Sequence, residues 1–141
     1  MIIKQLSVFL ENKSGRLTEL TEILAESGIN MSALSIADTS EFGIVRIVVS
    51  EPEKALKILK DSKFSVNLTD VICLSTPNDP GGVARALKIF SEENISVEYM
   101  YAFSTEQKAL AVIRTDNIES TIEVLKKHEM ELLKASELYN I

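Results

Sequence analysis

The chain has 141 residues, 45% of them hydrophobic and 26% charged, with a net charge of −6. That acidic balance argues against nucleic acid or an anionic membrane surface, whose binders carry a basic face. No stretch approaches the roughly 18 apolar residues of a membrane-spanning helix.

The start, "MIIKQLSVFL", has no basic n-region, long h-region or small-residue cleavage site, so no signal peptide is expected. A single cysteine, Cys73, rules out an intrachain disulfide and fits a reducing cytoplasm. Leu6, Val8 and Leu10 alternate with a period of two and predict a first strand. The turn "NKSG" follows, and Leu17, Leu20, Ile23 and Leu24 then fall at helical spacing. Gly28 stands where a left-handed residue would close that helix. Ile29 to Asp38 and Phe42 to Ser50 read as two strands joined by the polar turn "DTSE". Ser50 and Glu53 form a capping box for a second helix with Ala55, Leu56 and Leu59 inward. A last strand covers about Phe64 to Leu68.

The same order then begins again. Shifted by 66 positions, the chain matches itself without a gap, and 10 of 49 pairs from Asn12/Asn78 to Lys60/Lys126 are identical. Apolar exchanges such as Leu17/Val83, Leu24/Phe90 and Ile44/Leu110 strengthen the match. A period this long means duplicated domains rather than a solenoid. The predicted division is 1–68 and 69–141, with no Gly- or Pro-rich linker, so the last strand of one copy runs almost directly into the first of the next. In the second copy Asn94 stands at the helix end, Asp116 and Glu119 replace the capping box, and Met130 to Lys134 supplies the last strand. Each copy reads β-α-β-β-α-β, the ferredoxin-like order of an α+β fold.

The turn "NDPGGVARAL" combines a candidate cap, Asp79, with Pro80 at a helix start and two glycines, Gly81 and Gly82, that let a ligand approach the backbone. A helix start with unpaired N–H groups attracts carboxylates and phosphates. The simpler reading is that Asn, Asp, Pro and Gly only make the turn. No Walker loop or G-x-G-x-x-G accompanies it, so a nucleotide is not indicated. Tyr99 and Tyr101 share a strand face with Val97 and Phe103 by simple alternation, either as a packed wall or as the side of a pocket. His128 reads as a solvated helix-end residue, Cys73 as a small buried one, and Arg46 and Arg114 as open-face residues of the third strands. No Cys/His cluster has metal spacing and no acid, base and nucleophile set is visible, so neither a metal, a cofactor nor an enzyme is expected.

Asn-x-x-Gly after a first strand, then Leu or Val, then "SGIN" before a second strand, resembles the ACT domain, a regulatory module of amino-acid biosynthetic enzymes. The resemblance covers both copies, with no enzyme attached. It implies two domains packed side by side into one eight-stranded antiparallel sheet with helices on one face. It also implies an amino acid bound at the interface between the domains. The family's loop asparagine falls on Asn12 and Asn78, its glycine on Gly15 and Gly81, and its asparagine at the start of strand two on Asn30. The family's proline is Pro80 in the second copy but Ser14 in the first, and Ser96 stands in place of Asn30, so the two sites are not expected to be equal. The candidate ligand residues are Asn12, Lys13, Ser14, Gly15, Arg16, Leu17, Asn30 and Ser35, with Asn78, Asp79, Gly81, Gly82, Val83, Ser96, Tyr99 and Tyr101. The leading expectation is a non-catalytic amino-acid sensor or regulatory protein, able to form a homodimer. The competing one is a ligand-free assembly subunit, of the kind that the small subunit of acetolactate synthase resembles.

Overall fold

The computed structural model describes residues 1–11, 13–38 and 41–141. The turns expected at Asn12 and at "DTSE" therefore fall partly outside the described residues. Among the described residues seven strands and five helices follow in the order β1 (Ile3–Glu11), α1 (Arg16–Glu26), β2 (Met31–Asp38), β3 (Phe42–Val49), α2 (Pro52–Asp61), β4 (Ser65–Pro77), α3 (Gly82–Glu92), β5 (Val97–Ser104), β6 (Lys108–Thr115), α4 (Ile118–Lys127), β7 (Glu131–Leu132) and α5 (Ala135–Tyr139). Seven strands stand where eight were expected, because β4 is one uninterrupted strand of 13 residues spanning the end of one repeat and the start of the next. No helix among the described residues is long and apolar enough to cross a membrane.

The chain forms two compact units. The N-terminal unit holds Lys4–Thr69 with Leu138–Ile141, and the C-terminal unit holds Asp70–Glu137 with Met1–Ile3. The strand order is β2–β3–β1–β4 in the first and β5–β6–β4–β7 in the second, the ferredoxin-like order twice.

Alternation decides which side chains meet the helices. In the N-terminal unit Leu6, Val8, Leu10, Val45, Ile47 and Val49 meet Leu20 and Leu24 of α1 and Ala55 and Leu59 of α2. The C-terminal core repeats this with Ile72, Leu74, Ala111 and Ile113 against Ala86 and Phe90 of α3 and Leu125 of α4. Gly28 (φ 71) and Asn94 (φ 57) end α1 and α3 in the left-handed region, as their positions predict.

The helix starts differ from expectation. The cap of α2 is Glu51 with Pro52 in the first turn, and no side chain closes it. Ser50 is diverted: its Oγ accepts from the Asn30 N–H at 3.1 Å. The cap of α4 is Asn117, not Asp116, and its side chain accepts from the Ser120 N–H. Asp79 caps nothing with its side chain, since α3 opens on Gly81.

Both edge strands carry a bulge at the same repeat position, between Met31 and Ala33 and between Val97 and Tyr99. The extra residue turns the strand over. Val97 therefore faces Thr115 on the helix side, whereas Tyr99, Tyr101 and Phe103 face Arg114, Val112 and Leu110 on the other. Simple alternation had put Val97 with the tyrosines. The last helix, α5, has no counterpart in the first repeat; its Leu138 is fully buried, and the Tyr139 hydroxyl accepts from the Lys4 N–H at 2.9 Å.

Candidate functional site

Each repeat turns from its first strand into its first helix through a glycine at φ 91, Gly15 before α1 and Gly81 before α3. Only glycine adopts this conformation without cost. Among the described residues neither turn has a side-chain cap, so no described side chain offsets the partial positive charge of the first-turn N–H groups. The backbone of the two turns is thus alike, and their side chains are not.

The first turn borders a pocket of about 200 Å³ lined by Leu10, Glu11, Lys13, Arg16, Leu17, Ile36, Gly43 and Val45. Strand pairing explains the set. Leu10 lies opposite Gly43, and Ile36 lies opposite Val45, all on the helix side of β1, β3 and β2. Gly43 has no side chain to fill the space beneath α1, and Ile36 on the edge strand is 49% exposed, which leaves one wall open.

Three of the lining residues are charged: Glu11, Lys13 and Arg16. Lys13 Nζ lies 2.9 Å from Glu11 Oε2, and Arg16 Nη1 donates to Glu19 Oε2 at 2.8 Å. The Lys13 hydrogen bond and charge, with Arg16 adding less, hold the Glu11 carboxyl below its usual range. The Arg16 guanidinium lies 4.6 Å from the centre of the Phe64 ring. Its Nε is buried and has no hydrogen-bond partner among the described residues, a donor left over after Nη1 is used.

The second turn is built differently. Shifting by 66 places Asp79 where Lys13 stands and Gly82 where Arg16 stands. Gly82 is buried, and a Cβ there would lie 2.9 Å from both the Pro77 carbonyl oxygen and Thr76 Oγ1. The start of α3 rests directly on the end of β4 and takes no side chain. Asn78 serves the turn: its Nδ2 donates to the Thr105 carbonyl at 3.0 Å, and its N–H donates to the Gln107 carbonyl at 3.0 Å.

The structure brings Lys13, Arg16 and Leu17 together at the first pocket, with Ser14 and Gly15 on the turn beside them. Asn30 lies elsewhere in the unit, in a depression with Thr21, Gly28 and Met31 at the far end of α1. Ser35 pairs with Arg46 on the face away from the helices. Val83 continues α3, and exposed Ser96 accepts from the Asp116 N–H at 3.2 Å through its carbonyl. Tyr99 and Tyr101 stand on the face away from α3, not beside its first turn. Asn12 lies outside the described residues.

Glu11, Ile36 and Gly43 were not singled out from the sequence. The signal for Gly43 was present, as a glycine inside a strand pattern marks a place where something else comes close.

Of the other residues singled out, Arg114 pairs with Glu98 at 3.4 Å and donates to the Asp70 carbonyl at 2.7 Å. His128 closes α4 with Nε2 3.5 Å from Glu93 Oε1. Burial pushes the Cys73 thiol up to about 12. Among the described residues no group of His, Cys, Asp and Glu could hold a metal ion.

No curated protein matches this sequence. A crystal structure of a Bacteroides thetaiotaomicron protein is 54% identical, with a TM-score of 0.97 over 100% of this chain and 98% of that one. The ligand-free regulatory subunit of aspartate kinase from Thermus thermophilus shares the fold, with a TM-score of 0.67 and 14% identity over 89% of this chain and 93% of its own. The corresponding subunit from Thermus flavus has a TM-score of 0.59 and 15% identity over 89% and 92%. The sequence profile of the ACT domain pair matches residues 1–141 throughout. The chain therefore belongs to the ACT domain pair family.

Proposed function

We propose that this protein is a non-catalytic regulatory protein that binds a free amino acid at the first turn of its N-terminal unit. The observation that carries this reading is the pocket lined by Lys13, Arg16 and Leu17 together with Glu11, which pairs with Lys13. An amino acid presents a carboxylate next to an ammonium. Arg16, Lys13 and the first-turn N–H groups of α1 suit the carboxylate. Glu11, held ionised by Lys13, suits the ammonium. Ser14 and Gly15 bring the backbone close. Membership of a regulatory domain family and the lack of an acid, base and nucleophile set in the sequence agree with binding rather than catalysis.

The test is a thermal-shift panel of the twenty amino acids at millimolar concentration. A ligand at about 100 times its dissociation constant adds about 2.7 kcal/mol, which moves the midpoint by several degrees. Arg16→Gln should abolish the shift. A shift unchanged by Arg16→Gln would place the ligand elsewhere.

A second reading is an assembly subunit of an amino-acid biosynthetic enzyme that acts through protein contact without its own ligand. It is favoured by the large apolar side chains exposed on the N-terminal unit: Phe9, Leu34, Ile36 and Phe42. A flat amino-acid panel, together with specific capture of one biosynthetic enzyme, would select it.

A further inference from the structure

We infer that the ligand is a free α-amino acid with a short branched aliphatic side chain, bound once per chain. This rests on the reading of the first turn as the amino-acid site, and it follows from the half of the pocket that the α-carboxylate and ammonium do not use. Beyond Glu11, Lys13 and Arg16 the lining is Leu10, Leu17, Ile36, Gly43 and Val45. None of these carries a hydroxyl, amide or charge. A ligand side chain that needs a hydrogen bond would give up water against these residues and gain no side-chain partner, which lowers its affinity relative to an apolar one. An apolar branched side chain suits the methyl groups of Leu10, Leu17, Ile36 and Val45, and Gly43 adds no side chain of its own. The size agrees, since about 200 Å³ lies below the roughly 300–1,000 Å³ of pockets for drug-sized ligands.

The limit of one site per chain comes from the repeat. The second turn puts the Asp79 carboxylate where the first has Lys13, and buried Gly82 where the first has Arg16. A ligand carboxylate there would meet a like charge, and buried Gly82 offers no side chain in place of Arg16. The positions matching Ile36, Gly43 and Val45 are Ala102, Ala109 and Ala111, so the branched wall is lost as well.

The experiment is titration calorimetry of the full chain with valine, leucine and isoleucine, against aspartate, lysine, serine and phenylalanine, with Ile36→Leu and Ile36→Asp as variants. Ile36 is half exposed, so neither change should unfold the unit. The expected result is one ligand per chain and a preference of at least about tenfold for the aliphatic set. Ile36→Leu should keep that preference, and Ile36→Asp should lower aliphatic affinity by about tenfold or more. Tighter binding of a charged, hydroxylated or aromatic amino acid, or two equal sites per chain, would overturn this inference and leave amino-acid binding intact. No binding by any amino acid would overturn the site reading itself. Wild-type affinity in Ile36→Asp would move the ligand away from β2 and overturn the inference.

Discussion

The turn before α1 and the turn before α3 share a backbone and divide the chemistry. Both place a glycine at φ 91 ahead of an 11-residue helix, and no described side chain caps either helix start. One has two cations over an open pocket; the other has an acid and a helix seated on the strand below. Backbone conformation in a duplicated turn is held by a single glycine, whereas the electrostatics depend on the residues around it, and these differ between the two turns. A glycine turn alone is therefore poor evidence for a ligand, and the side chains beside it decide.

The sharpest way to break this comparison is to put side chains where the second turn has none. Gly82→Val should destabilise the chain by about 3 kcal/mol in urea unfolding, because the new Cβ meets a backbone carbonyl that cannot move aside. Arg16→Val, at the matching position of the first turn, should cost about 1 kcal/mol, the loss of a ring contact and a partly exposed ion pair. Equal costs would mean that the two helix starts are packed alike.

Next in size are Gly15→Val and Gly81→Val. At both sites a Cβ would meet nothing within 4 Å, so only backbone strain should count. Each should cost about 1–3 kcal/mol, and the two values should agree closely. A wide gap in calorimetric stability would show that the shared φ hides a different environment.

The second helices offer a smaller contrast. Asn117→Ala removes the side-chain acceptor for the Ser120 N–H and should cost about 1 kcal/mol. Glu51→Ala, at the matching cap with no such bond, should stay within about 0.5 kcal/mol.

The smallest effect concerns pH. The carboxyl of Glu11 is lowered in the folded chain, so its contribution is present above the ordinary carboxylate value of 4.5 and lost as pH falls through the lowered one. Ligand affinity should fall in that same acid window, where protonated Glu11 no longer faces the ammonium. Glu11→Gln should flatten the profile. An equal acid loss in Glu11→Gln would assign the titration to another group.

Much of the fold was legible because it follows from period and punctuation. Leu6, Val8 and Leu10 had to share a face, Gly28 and Asn94 had to sit where a left-handed residue was needed, and the offset of 66 carried one reading onto the other copy. The failures were local competitions. Ser50 looks like a cap, but its hydroxyl is drawn to the Asn30 N–H. Val97 reads with Tyr99 until one extra residue in the strand turns it over. At the site, Lys13, Arg16 and Leu17 were within reach because they adjoin the glycine turn in sequence.

The sequence by itself determined the duplicated α+β fold, the family and the position of both glycine turns, since these depend on near-neighbour sterics and on hydrophobic period. Only the tertiary structure decided that one turn opens on a pocket while the other seats its helix start against the strand below. That depends on Gly43 lying opposite Leu10, on Ile36 opposite Val45, and on Gly82 lying against Thr76 and Pro77. The first two are cross-strand partners set by register, and the third is a contact between a helix start and the strand end beneath it. Strand register and helix docking join residues that have no relation along the chain, so no local pattern announces them.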